Sequence, residues 1–135
     1  MAGFVFNEGA HKLLDGSIDW AADTIKVRPI LTSASPDIDA DVVTGIGITG
    51  GDITLGSKTG PTKVDGTNRV SYDAADPTFI AQPLGAEIDS ILVFKFVTND
   101  ADSIPIAVVD ITPVTPNGGN IAITFDAVGI FYTQQ

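Results

Sequence analysis

Cysteine is missing altogether from these 135 residues, which excludes disulfides, thiol catalysis and cysteine-held zinc. Histidine is reduced to His11 alone, so a metal site built from several imidazoles is excluded as well. Basic residues are scarce. Seven Lys and Arg stand against 17 Asp and Glu, a formal net charge of -10. No nucleic-acid partner is expected from so acidic a chain, and binding to an anionic membrane is disfavoured for the same reason. Long apolar runs are lacking too. Ile104–Val109 is interrupted by Pro105 and is far too short to span a bilayer. The opening MAGFVFNEGAHK has no basic start followed by a long apolar stretch, so no secretion signal is expected. Aromatic residues, at 7%, are too few to build an obvious sugar-stacking platform.

What the chain does have is β-branched residues and breakers. It holds 16 Ile, 12 Val and 14 Thr but only 6 Leu, with 14 Gly and 8 Pro spread along its length. β-Branched side chains lose rotamer freedom in helices and fit half-buried pleated surfaces. Short strands between frequent turns predict an all-β fold: one domain over 1–135, a β-sandwich or β-barrel of short antiparallel strands with one short N-terminal helix. An apolar content of 44% argues for a packed core despite the acidity.

Along the chain, Met1–Phe6 reads as extended. Asn7 is placed to cap a helix through Leu14, with Glu8 and Lys12 at a favourable i,i+4 spacing and Gly16 ending it. From Thr24 to Leu31 the pattern alternates: Ile25 and Val27 face one way, Lys26 and Arg28 the other, until Pro29 predicts an edge position or bulge. Ser33–Asp41 reads as a polar loop and Val42–Ile48 as a β segment broken by two glycines. Ile53–Leu55, Lys63–Asp65, Arg69–Asp73 and Phe79–Ile80 are weaker strand candidates. The strongest strand is Ile88–Thr98, apolar on both faces, which predicts a central position. Asn99–Asp102 forms an Asx turn and Ile104–Ile111 returns as the second strand of a hairpin. Asn117-Gly118-Gly119 reads as another hairpin turn, leading into Ile121, Ile123 and Phe125 on one face, with Val128–Tyr132 closing the domain.

The candidates for chemistry are weak. Asp37, Asp39 and Asp41 resemble the start of a calcium loop, but Val42 stands where the loop needs glycine and Ile48 where it needs a bidentate Glu. The preferred reading is a solvated acidic loop, with no metal or other cofactor. His11 has seven serines available as nucleophile partners, none in a G-x-S-x-G context. Glu8 and Glu87 are the only glutamates and would be a glycosidase pair only at a suitable separation. Trp20, the single tryptophan, is either a sugar-stacking ring or a packing residue, and packing is preferred because no aromatic cluster surrounds it in sequence. No enzyme is expected.

An ordered succession of motifs carries a resemblance. Asp15-Gly16-Ser17-Ile18-Asp19 precedes Asp23–Val27. Val43–Gly51, Tyr72–Phe79 and Ile91–Lys95 follow, then Pro105–Asp110 and Asn117–Ile130. Over nearly the whole chain this order resembles the small structural proteins of tailed bacteriophage virions, similar to head decoration or cement proteins. Phe94-Lys95 matches the family's aromatic-lysine pair in the central strand. The resemblance implies a protein made in the host cytoplasm that ends on the head surface of the virion. Its partner there is the major capsid protein, and self-association, with a trimer favoured, is implied by the same analogy. A tail or fibre component is the alternative location, and a virion-displayed carbohydrate-binding β-module the alternative function. For attachment, Phe4, Val5 and Phe6 are the candidate capsid or subunit contacts, as an extended N-terminal arm over 1–6 that adds to a neighbouring sheet. The competing reading makes the same residues the first strand of the protein's own core.

Overall fold

A computed structural model describes residues 3–134. The fold is all-β apart from one short helix and a 3₁₀ turn at Asp65–Thr67, as the β-branched composition predicts. Its elements run β1 (Phe4–Val5), α1 (Asn7–Leu14), β2 (Ile25–Leu31), β3 (Ile53–Thr54), β4 (Thr59–Val64), β5 (Arg69–Asp73), β6 (Thr78–Phe79), β7 (Ile88–Lys95), β8 (Ile104–Val114), β9 (Ile121–Ala122) and β10 (Phe131–Gln134). The main sheet has five antiparallel strands in the order β1-β8-β7-β2-β3. A three-stranded sheet, β10-β5-β4, and the pair β6-β9 complete the set.

β7 is the middle strand, and its apolar residues on both faces explain why. Ile91 and Val93 point into the larger core, with Ile25 and Val27 of β2. Leu92 and Phe94 point into a second cluster with Phe6, Ile30, Val43, Ile46 and Val108. The larger core fills the space to the smaller sheets. There Trp20, Phe79, Ile121, Ile123, Phe125 and Ile130 close over the main sheet. The second cluster is covered by the segment after β2, which brings Ala34, Ala40, Val43 and Ile46 down onto it.

That covering segment corrects one expectation. Val42–Ile48 forms turns rather than a strand. Its glycines take positive φ, +78° at Gly45 and +79° at Gly47, and a Cβ on Gly47 would stand 2.8 Å from the Pro29 carbonyl. The turn closes by hydrogen bonds from Val43 N–H to Ser103 O and from Ile48 N–H to Pro29 O. The second bond also accounts for Pro29. β3 pairs only with Lys26 and Val27, so the side of β2 on which Pro29 lacks an N–H is past the end of that partner, and no ladder bond is forfeited. A register shift falls one residue on, between Ile30 and Leu31.

α1 spans the expected residues, but Phe6 rather than Asn7 is its N-cap, extended at φ −66°, ψ 145°. Asn7 is already helical, and its side-chain amide donates to Asp39 instead of back to the helix. Glu8 and Lys12 pair at 3.7 Å, and Gly16, at φ +82°, follows the last turn. The helix lies against β8 through Gly9, where any Cβ would come within 2.6 Å of the Ile106 Cα.

The β7–β8 hairpin forms as read, closed by the Asx turn in which Asn99 Oδ1 accepts from Asp102 N–H. The Asn117-Gly118-Gly119 turn differs from the reading. It does not fold β9 back onto β8: β9 pairs with β6, through Thr78↔Ala122 and Phe79↔Ile121. The turn instead docks on Gln82, whose N–H donates to Gly119 O and whose carbonyl accepts from Gly118 N–H.

Candidate interaction surface

Phe4 and Val5 pair with Val108 and Ala107 of β8, and Phe6 N–H donates to Ile106 O at 2.9 Å. Phe6 has no exposed surface, and the Phe4 ring meets it edge-on with centroids 4.9 Å apart. Of the two readings of this segment, the geometry is that of a strand in the protein's own sheet. The detached arm is corrected for residues 3–6, since register with β8 and burial of Phe6 fix them; Met1 and Ala2 lie outside the described residues. Phe6 has no ring face left to offer another chain, while Phe4 and Val5 remain half-buried at the sheet edge.

The other sequence candidates are mostly engaged in folding. Asp37 accepts from Asp39 N–H at 3.0 Å, and Asp39 accepts from Asn7. Among the described residues no group of three or more His, Asp and Glu side chains is placed to hold a metal ion. His11 is 65% exposed and lies 3.8 Å from both Glu8 and Asp15, a surface position on the helix. Glu87 accepts from the Thr32 hydroxyl, and Glu8 is spent on Lys12 and His11. No helix among the described residues is long and apolar enough to cross a membrane.

Trp20 is a packing residue, but for a reason opposite to the one its sequence context offers. It sits in an aromatic cluster, edge-on to Tyr72 at 5.5 Å and to Phe131 at 5.4 Å, with those two rings stacked at 4.8 Å. Its indole N–H donates to Asp73 O at 3.0 Å, and only 2% of the residue is exposed. No face of the indole is free to stack on a sugar. Burial raises the Tyr72 pKa above its ordinary value in the same cluster.

The densest polar site is one that alternation alone did not find. Arg28 points to the second face of the main sheet, as read, but that face is covered. Its Nε and Nη2 donate to the two oxygens of Asp52 at 2.9 and 2.8 Å. Nη1 and Nη2 donate to Asp100 at 2.9 Å each, and Nη1 also reaches Ile46 O at 3.2 Å. The guanidinium carbon lies 4.9 Å from the centroid of the Phe94 ring. Two bidentate carboxylates saturate the fork, and they join β2 to the residue just before β3 and to the β7–β8 turn. The bonds to Asp52 chiefly, with those to Asp100, hold the guanidinium proton far above its usual range, against the opposing effect of burial. The Arg28 bonds hold the Asp100 carboxyl below its own. The neighbouring Lys95 bridges Asp23 at 2.9 Å and Ser17 O at 2.9 Å, so it ties the end of β7 to the segment after α1.

What remains open is surface of a different kind. A groove of about 400 Å³ runs between the 48–51 turn and the 80–86 loop, with Leu84 80% exposed and Ile80 66% exposed at its lip. On the three-stranded sheet, Tyr132 is 44% and Val64 36% exposed, beside Arg69. No protein-family model, curated protein or solved structure matches the chain.

Proposed function

We propose that this protein is a structural component of a tailed-phage virion that decorates the outer surface of the assembled head and stabilises it through protein–protein contacts. The observation that carries the reading is the division of its side chains. The densest polar cluster, Arg28 with Asp52 and Asp100, is bonded within the body, as is the Trp20 N–H. The groups left outside, Ile80, Leu84 and Tyr132, are of the large apolar and aromatic types that bind other proteins.

The physics of decoration fits this body. A charge of -10 keeps free copies apart before they meet a shell. Docking on a repeating lattice multiplies weak individual contacts. The edge strand β4 carries Pro61 and Lys63, which blunt pairing with stray strands.

The test is particle composition. Purified heads should contain the chain in proportion to the shell's subunits, and heads made without it should disrupt at lower temperature or under milder osmotic stress. Particles that lack the chain, or that carry it only at the tail, would reject this role.

A further inference from the structure

Among the described residues Lys26, over the Phe96 ring, and Lys58, on the Asp23 carbonyl, pair with no carboxylate, but only Arg69, on β5, also leaves a buried donor unsatisfied. Lys12 is paired with Glu8, Arg28 with two aspartates, Lys63 with Asp65 at 3.2 Å, and Lys95 with Asp23. The Arg69 side chain has no carboxylate and no hydrogen-bond acceptor among the described residues, in a sequence with 17 acids for seven bases. Its Nε is buried and unsatisfied, the one such side-chain atom found among those residues. A buried donor without a partner is costly and calls for an explanation.

The surroundings supply one. The register Val64↔Arg69 and Tyr132↔Ser71 sets Val64, Arg69 and Tyr132 on one face of the three-stranded sheet. The guanidinium carbon lies 5.3 Å from the Tyr132 ring centroid, so the ring holds the fork in place without satisfying its N–H groups. A groove of about 200 Å³ at this end of the sheet is lined by Lys63, Asp65, Asn68, Arg69, Val70 and Thr133, but Lys63 and Thr133 both pair with Val70 and so stand on the face opposite to Arg69 and Tyr132. Lys63 is already held by Asp65, which leaves Arg69 as the positive charge on the Tyr132 face. Arginine and tyrosine flanked by apolar surface are the residue types that dominate binding energy at protein interfaces. A fixed planar fork matches a carboxylate in two-point geometry.

We propose that this face, centred on Arg69 and Tyr132, is the docking surface, and that its occupant is an aspartate or glutamate side chain presented by the shell subunit. The assignment rests on the virion role proposed above. Charge complementarity selects this occupant: the Arg69 guanidinium has no carboxylate partner among the described residues. A second copy of the chain is opposed by repulsion between two bodies of charge -10. The same repulsion turns the acidic remainder away from an acidic patch on the shell, so approach is oriented by this face.

The experiment adds purified wild-type protein, Arg69→Met and Arg69→Lys to heads lacking the chain, and measures bound copies against concentration at low and high salt. Arg69→Met keeps the apolar stem and deletes the fork. Its apparent affinity should fall by about tenfold or more, and Arg69→Lys, which keeps the charge but not the planar geometry, by about threefold. Wild-type binding should weaken with salt more steeply than that of Arg69→Met. Thermal melting of each free protein reports its fold, and Arg69→Lys carries the test if Arg69→Met melts early. Binding of both variants within about twofold of wild type would overturn the assignment while leaving the decoration role standing. Wild-type protein that self-associates in sedimentation, with the association lost in Arg69→Met, would transfer the face to a second copy and overturn it too. Failure of the wild type itself to bind would remove the role and this surface together.

Discussion

Arg28 and Arg69 are the two arginines of the chain, and their regions differ in almost every respect. Arg28 projects from a central strand beneath a covering loop, is 2% exposed, and has every N–H of its fork spent on two carboxylates and a carbonyl. Arg69 projects from the small sheet, lies against Tyr132 and finds no acceptor among the described residues. The same side chain thus serves as an interior clamp in one place and as an open contact in the other. What separates them is the loop. The segment 43–52 folds over Arg28 and brings Ile46 O and Asp52 to it, while the 3₁₀ turn at Asp65–Thr67 brings Asp65 only as far as Lys63. Charge under the covering loop is matched, whereas at the small sheet Lys63 is matched by Asp65 and Arg69 is left without an acceptor among the described residues.

The strongest challenge to that contrast is Arg28→Met. It leaves Asp52 and Asp100 facing one another without their cation, and removing one partner of a buried ion cluster costs about 3–5 kcal/mol. Chemical denaturation should register a loss towards the lower end of that range, because both carboxylates keep some contact with solvent. A loss under about 1 kcal/mol would mean that the clamp contributes little.

Acid titration addresses the same site with a smaller effect. The Arg28 hydrogen bonds lower the Asp100 pKa in the folded protein. The unfolded chain therefore binds a proton at Asp100 more readily than the folded one does. The stabilisation is complete above the unfolded value near 3.8 and is lost as pH falls through the lower folded value. Melting temperature should drop from about pH 5 towards pH 2, and Asp100→Asn should drop less over the same interval. Equal slopes for the two proteins would remove Asp100 from the account of acid sensitivity.

The smallest expected effect is on the stability of Arg69→Met. With no polar partner to lose among the described residues, the free protein should unfold with a stability within about 0.5 kcal/mol of wild type. A large destabilisation would show that Arg69 serves the fold, and the contrast with Arg28 would dissolve.

Much of the main sheet was legible in the sequence. The two-sided apolar run Ile88–Lys95 marked the central strand, because only a strand covered on both faces can bury Leu92 and Phe94 as well as Ile91 and Val93. The Asn99–Asp102 turn and the return strand followed from local chemistry. What alternation reports, however, is which way a side chain points, not what lies above it. Arg28 was therefore placed on its correct face while the cover over it went unread, since the covering loop is recruited through Val43 and Ile46, residues whose burial is tertiary. The aromatic cluster escaped notice for a related reason. Trp20, Tyr72 and Phe131 are remote in sequence and meet only when β5 and β10 pair. The Asn117-Gly118-Gly119 signal was read as a hairpin between neighbours in sequence, whereas β9 takes its bonds from β6. The open contact at Arg69 left a trace that composition alone does not reveal: an arginine with no acceptor among the described residues.

The pairing of Phe4 and Val5 with β8 has a further consequence for biosynthesis. During translation the opening strand emerges long before Ala107 and Val108, so it must wait, unpaired, while the intervening residues are made. The helix that follows it waits too, because Gly9 nestles against Ile106. Chains stalled before that point should remain open and protease-sensitive, and closure should come late and abruptly, as expected where contacts join distant parts of a polymer.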